Sequence, residues 1–375
     1  MQQRNRKVDQ SPRIRGHRLQ STAPKTTRAT VNNVALVTRS GILCGGTCTV
    51  DRNKQIDRWP AEESVAEILE EERCGGGPAL NVSLALRGLS ARLPIGVIGL
   101  LGDDEDGRYV RATMDDHDID ATQLHIDDRA PTSFTEVMAV VGTGRRTFFH
   151  RPGVSAHLDP DHFDLSVTRS RVFHVGYPGI HELMDGPWED DGNGWVTVLK
   201  QARAAGLETS IDLVSVEPGR IATVGRPCLP YLDHLIVNDV EIGGLAGIET
   251  VRGGVTDVDA CRTAAATVLG DGLMETVIVH FPIGAVAVAR NGSQISEPSV
   301  SVPPAEVVAS NGAGDAFAAG VLFAIHEHWA LADGLRLGHA AAAASLQSLS
   351  TVGGVVDHRS CLALANRWGR RPRLD

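Results

Sequence analysis

Aromatic residues are scarce in this sequence: eight Phe, five Trp and three Tyr make up 4% of 375 residues. Such a chain suits close helix–sheet packing better than an aromatic-rich recognition surface. Long apolar runs are missing. No stretch approaches the ~18 uninterrupted apolar residues of a membrane-spanning helix, which counts against an integral membrane protein. Cysteines are few and scattered, at 44, 48, 74, 228, 261 and 361. No two are spaced Cys-x-x-Cys, and neither a second pair nor a His run completes a zinc site around Cys44 and Cys48. A long chain with sparse cysteines reads as reduced and cytoplasmic. There is no Gly-x-x-x-x-Gly-Lys-Ser/Thr segment, which excludes a P-loop enzyme. Acids are nearly absent from the first 39 positions, which hold nine Lys or Arg and one Asp. The whole chain carries a net charge of −10, so the remainder carries −18. A body that acidic is unsuited to non-specific nucleic-acid binding.

What is present is an ordinary globular composition, 42% hydrophobic and 22% charged, with 40 glycines. The length allows two or three domains of roughly 100–200 residues, or one large α/β domain with an appendage. The basic leader, residues 1–33, has too few large apolar side chains to bury a core and is expected to be disordered. Ordered structure is expected over 34–375. Val34-Ala35-Leu36-Val37, then Ile42-Leu43-Cys44 before Gly45-Gly46, read as a buried strand closing in a tight turn. Residues 62–73 are Glu-rich and polar. Gly75-Gly76-Gly77 precede a helical pattern from Ala79 to Leu89. Leu93 to Leu101 is a second apolar strand, closed by Gly102-Asp103-Asp104-Glu105-Asp106-Gly107. Thr132–Val141 and Arg146–His150 suggest a hairpin around Gly142-Thr143-Gly144. Short strands are expected at 172–175, 208–213, 235–237, 277–279 and 285–289, with helices between them and at 314–328 and 331–349. This alternation predicts a mostly parallel sheet covered by helices on both faces. Such sheets bind ligands at the carboxyl ends of their strands.

The segment richest in chemistry is Ser310-Asn311-Gly312-Ala313-Gly314-Asp315-Ala316-Phe317. Glycines at 312 and 314 permit a tight turn with bare N–H groups. A helix following at once places those groups at its positive end, which is an anion site. Asp315 within it fits a general base that takes a proton from an attacking hydroxyl. It fits equally an Asp that caps the helix start.

The run from Asn311 to Phe317 resembles the C-terminal signature of the ribokinase-like, or phosphofructokinase-B-type, carbohydrate kinase family. Gly76-Gly77-Pro78-Ala79-Leu80-Asn81, with Gly99 and the 102–107 block, is similar to the family's N-terminal signature. The two stand in the right order and at the right separation, and the resemblance covers about residue 34 to the end. It implies a three-layer α/β/α fold with a mostly parallel central sheet and a small β-sheet lid, here about 48–60 and 132–150. It implies ATP-dependent phosphorylation of a hydroxymethyl group on a sugar. Asp315 would be the base, and the 312–315 amides (Gly312, Ala313, Gly314 and Asp315) the anion hole. Asp51, Gly76, Gly77 and Asn81 would line the sugar site. Asn238 and Glu241 would help position Mg2+ and phosphate, Glu241 through water, and Gly284 would lie at the nucleotide. Asn81 and Asn238 are alternatively helix caps. Ala309 stands where many members carry an acid that helps hold a monovalent cation, which counts against potassium activation. The partner implied is a small-molecule sugar or nucleoside, with a homodimer through the lid. Two rivals stay open: a nucleoside kinase of the same fold, and a catalytically weak sugar-binding regulator.

Overall fold

The computed structural model describes residues 39–141 and 146–374. The basic leader, the Val34–Val37 run and the Gly142-Thr143-Gly144 turn lie outside them. The main sheet has nine strands. Across it they run Gln294–Pro298, Gly284–Ala289, Thr276–Phe281, His234–Asn238, Glu208–Ile211, Val172–Gly176, Ile42–Gly46, Ile95–Leu101 and Asp120–Ile126. The seven from Thr276–Phe281 onward pair in parallel. The first two strands are antiparallel additions at one edge.

Strand sequence explains this arrangement. Ile95–Leu101 reads IGVIGLL and is buried at every position, as a parallel strand covered on both faces must be. Alternate side chains enter opposite cores: Ile42 and Cys44 join one, Leu43 the other. The first core packs under the helices Pro78–Leu89, Glu105–Asp116, Ala313–His326, Leu331–Ser345 and His358–Trp368. The second packs under Gly194–Ala204, Pro218–Gly225, Asp239–Ala246 and Val258–Asp271. The result is the three-layer α/β/α architecture. The expected helices 314–328 and 331–349 end earlier, at His326 and Ser345. No helix among the described residues is long and apolar enough to cross a membrane.

A separate four-stranded sheet runs in the order Ile68–Gly76, Thr49–Ile56, Phe134–Val140 and Arg146–Arg151. Its two middle strands are parallel and its outer pairs antiparallel. Ile68–Gly76 adds to the segments expected at 48–60 and 132–150. Its Glu70-Glu71-Glu72-Arg73 stretch is polar on both faces, so it carries no alternation to read. The chain passes from the main sheet to this one through Thr47 and Cys48, directly after the strand Ile42–Gly46.

The acidic 102–107 block does more than close a strand. Asp104 caps the helix Glu105–Asp116 by accepting from Gly107 N at 2.8 Å. The same carboxylate accepts from Thr132 N at 2.8 Å and Thr132 Oγ1 at 2.7 Å. It therefore ties the main domain to the entry of the small sheet. Asp104→Ala is expected to lower stability by about 1–2 kcal/mol. The readout is the urea midpoint at constant m value, and an unmoved midpoint would contradict this tie.

Candidate active site

The carboxyl ends of the central strands face the N-terminus of the helix Ala313–His326. That helix begins at Gly312, whose φ of 76° is left-handed. A Cβ there would lie 2.4 Å from Thr351 O, so only glycine fits. Gly312 makes no side-chain cap, and the first internal bond runs from Ala316 N to Gly312 O at 2.9 Å. The N–H groups of Ala313, Gly314 and Asp315 are thus left unspent at the positive end of the helix.

Asp315 is not the cap. Its Oδ1 accepts the Tyr177 hydroxyl at 2.7 Å, and its Oδ2 accepts Asn81 Nδ2 at 2.8 Å. It is 4% exposed. Burial pushes its pKa up, and the two hydrogen bonds pull it back down. Asn81 is not a cap either: the helix Pro78–Leu89 is capped by Gly77, at φ 78°. Asn81 sits inside that helix, buried, and its Oδ1 has no partner.

Asp51 lies on the strand Thr49–Ile56, buried, and accepts Asn311 Nδ2 at 3.0 Å. Burial pushes its pKa up to about 7, while bonds from Asn311 and Thr135 oppose the rise. A Cβ on Gly76 would stand 2.1 Å from Asp51 Oδ1, so that glycine makes room for the carboxylate. Between the small sheet and the 302–311 segment opens a cavity of about 640 Å³, lined in part by Asn53, Val137, Arg146, Val308, Ala309 and Asn311.

Asn238 and Glu241 form a reciprocal capping box on the helix Asp239–Ala246. Asn238 Oδ1 accepts Glu241 N, and Glu241 Oε2 accepts Asn238 N, both at 2.9 Å. Glu241 Oε1 accepts Ser215 Oγ at 2.9 Å. Burial pushes the Glu241 pKa up to about 7. Asp212 stands close by, its pKa raised by burial and by the charges of Glu241 and Asp315. Among the described residues, none of Asp51, Asp212, Glu241 and Asp315 forms an ion pair with Lys, Arg or His. No three of them are grouped to ligate a metal directly among the described residues, but Asp212 and Glu241 are hard oxygen donors of the kind that suits a hydrated divalent cation.

The structure thus brings together Asp315, Asn81, Asp51 and the 312–315 turn, with Gly76 and Gly77 beside them. Gly284 opens the strand Gly284–Ala289, where Glu297 O and Leu374 fill the space a Cβ would take. Sheet packing accounts for that glycine. Two residues near Asp315 are not among the expected site residues. Tyr177 follows a strand in an irregular segment. His280, held neutral by burial with its pKa lowered to about 4, packs its ring against Phe317 and under Gly314.

Because burial raises Asp51, the folded chain keeps a proton that the unfolded chain releases, and ionising it costs stability. The cost accrues from about pH 3.8 and is complete above about pH 7. Asp51→Asn removes it. The Tm of the variant minus that of the parent is expected to grow over this window and level off above it. A difference independent of pH would contradict the burial of this charge.

A sequence model of the pfkB family carbohydrate kinases matches residues 40–357. An ATP-dependent ribose-1-phosphate kinase of Halopiger xanaduensis is 27% identical over 75% of this chain and 83% of its own. An aminoimidazole riboside kinase of Salmonella typhimurium is 23% identical over 71% and 80%. In fold, Arabidopsis thaliana ribokinase complexed with ribose and ATP superposes with a TM-score of 0.69 at 20% identity, covering 87% of this chain and 99% of that one. With a site in which a buried carboxylate adjoins an amide nest, the match over most of its length places the chain in the pfkB family of carbohydrate kinases, phosphotransferases that act on an alcohol group.

Proposed function

We propose that this chain transfers the γ-phosphoryl group of ATP to a hydroxymethyl group of a small sugar, with Asp315 as general base. The observation that carries this is the buried Asp315 carboxylate beside the uncapped N–H groups of 313–315. Asp51 and the free Oδ1 of Asn81 hold acceptor hydroxyls. Asp315 takes the proton of the attacking hydroxyl as its oxygen bonds to phosphorus. The bond to the ADP oxygen breaks, and ADP leaves with that electron pair. The amides of 312–315 stabilise charge on the phosphoryl group in flight. Mg2+, when bound with the nucleotide, neutralises phosphate charge, and Glu241 and Asp212 are the residues here to hold it through water. The small sheet serves as a lid that excludes water from the acceptor. A nucleoside acceptor is the second reading, since a relative's name specifies a riboside.

Three further features belong to this proposal. Ala309 lines the cavity without a carboxylate, which counts against potassium activation. The small sheet and its connections expose Trp59, Ile68, Leu69, Phe148 and Phe149. An apolar surface of this kind suits a homodimer through the lid; light scattering that gave a monomer mass would contradict it. All six cysteines are unpaired and buried, which suits a reducing cytoplasm.

A coupled ADP-release assay with Mg·ATP, over a panel of sugars and nucleosides with and without potassium, tests the function. One acceptor is expected to drive ADP release, and the arms with and without potassium read the ion requirement. Asp315→Asn is expected to lower turnover about 10²–10⁴-fold with the acceptor KM little changed. Near-normal turnover in that variant would sink the base assignment, and binding of acceptors without ADP release would favour the regulator.

A further inference from the structure

Tyr177 is one of three tyrosines in the chain, and its only hydroxyl hydrogen goes to Asp315. It directly follows the strand Val172–Gly176 and heads an irregular segment that runs to Asp185. That segment is fastened with unusual thoroughness. Asp185 accepts from Gly179 N at 3.0 Å, His181 N at 3.0 Å, Trp195 Nε1 at 2.8 Å and Arg220 at 2.9 Å. Its side chain is 1% exposed. His181 adds a second fastening. Its ring lies 3.1 Å from Tyr177 O through Nδ1 and 2.8 Å from Thr47 Oγ1 through Nε2. Burial lowers the His181 pKa to about 4, so the ring is neutral at pH 7. A carbonyl can only accept, so Nδ1 carries the proton and Nε2 accepts from Thr47. The segment is thereby held to the end of the first strand and to two helices.

We propose that Tyr177 is a positioning residue for phosphoryl transfer, whose phenol clamps Oδ1 of Asp315 and holds the carboxylate in its ionised, proton-accepting form. Two donors, Tyr177 and Asn81, grip the two carboxylate oxygens from different elements, so the carboxylate plane cannot rotate. Its remaining lone pairs then point to one place, where the acceptor hydroxyl must arrive. A donor to a carboxylate favours its charged form. That assistance matters, because among the described residues the titratable groups named around this pair are acids or an uncharged ring. Asp51 faces Asp315 from the small sheet and Asp212 from the end of the strand Glu208–Ile211, while Glu241, on the helix Asp239–Ala246, acts on Asp212 and on Tyr177. The neutral His280 lies under Gly314. Burial, with the charges of Asp315, Asp212 and Glu241, pushes the Tyr177 pKa well above its ordinary value. The phenol therefore stays protonated and remains a donor across the working range.

The inference rests on Asp315 being the base, as proposed above, and the experiment separates the two. The pH profile of turnover is measured with saturating acceptor and Mg·ATP for the parent, Tyr177→Phe and Asp315→Asn. Loss of one hydrogen bond to a charged group is expected to move the acid limb of Tyr177→Phe up by roughly one to two pH units. Turnover recovers toward the parent on the alkaline side, and the acceptor KM stays near the parent value. The position of the limb does not depend on the fraction of enzyme that is active, so partial misfolding does not mask it. A fluorinated tyrosine at 177, a stronger donor of nearly the same shape, is expected to move the limb the other way. Inactive Asp315→Asn together with an unmoved limb in both Tyr177 variants would overturn the positioning role alone. Normal turnover in Asp315→Asn would remove the base and this inference with it.

Discussion

Asp51 and Asp212 both feel the charge of Asp315, and Asp212 that of Glu241; all four carboxylates are buried, and among the described residues none has a basic side chain paired with it. Burying a charge unpaired is costly, and burying several together adds their repulsion. The fold sustains this through donors rather than cations. Asn311 serves Asp51, the capping box serves Glu241, Leu213 N serves Asp212, and Tyr177 with Asn81 serve Asp315. The positive end of the helix Ala313–His326 supplies the remaining compensation.

The architecture delivers those acids from elements far apart in sequence. Asn81 and Asp315 are 234 positions apart, and Asp51 and Asn311 are 260. Asn81 and Asp315 stand in the first turns of helices, Asn311 just before one, and Asp51 near the start of a strand. Two apolar cores, one on each face of the sheet, fix those ends rigidly. Precision in the site therefore comes from packing well away from it. The small sheet grows from the first strand and places Asp51 over the helix that carries Asp315.

Much of this was legible in residues alone. Continuous apolar runs such as Ile95–Leu101 announce buried parallel strands. The order Gly-Gly, Asn, then Asn-Gly-Ala-Gly-Asp marks the two halves of the site. What stayed hidden has physical causes. The strand Ile68–Gly76 has Glu on both faces, so periodicity fails there. Tyr177 and His280 act by tertiary placement, and a short loop or a strand end carries no spacing that reveals it. Whether Asp315, Asn81 and Asn238 were caps or ligands depended on which residue truly starts each helix. The backbone dihedrals of Gly312 and Gly77 answer that for the first two. For Asn238 the cap is real, and Glu241 is both a partner in that cap and a member of the acid cluster.

The central claim is that this acid cluster moves a phosphoryl group from ATP to carbon-bound oxygen rather than to water. Phosphorus NMR of a reaction containing Mg·ATP and the acceptor panel tests it most directly. The account predicts a phosphomonoester resonance, coupled to the two protons of a CH2 group, that grows in step with ADP. Release of inorganic phosphate alone, or ADP without any such ester, would contradict it.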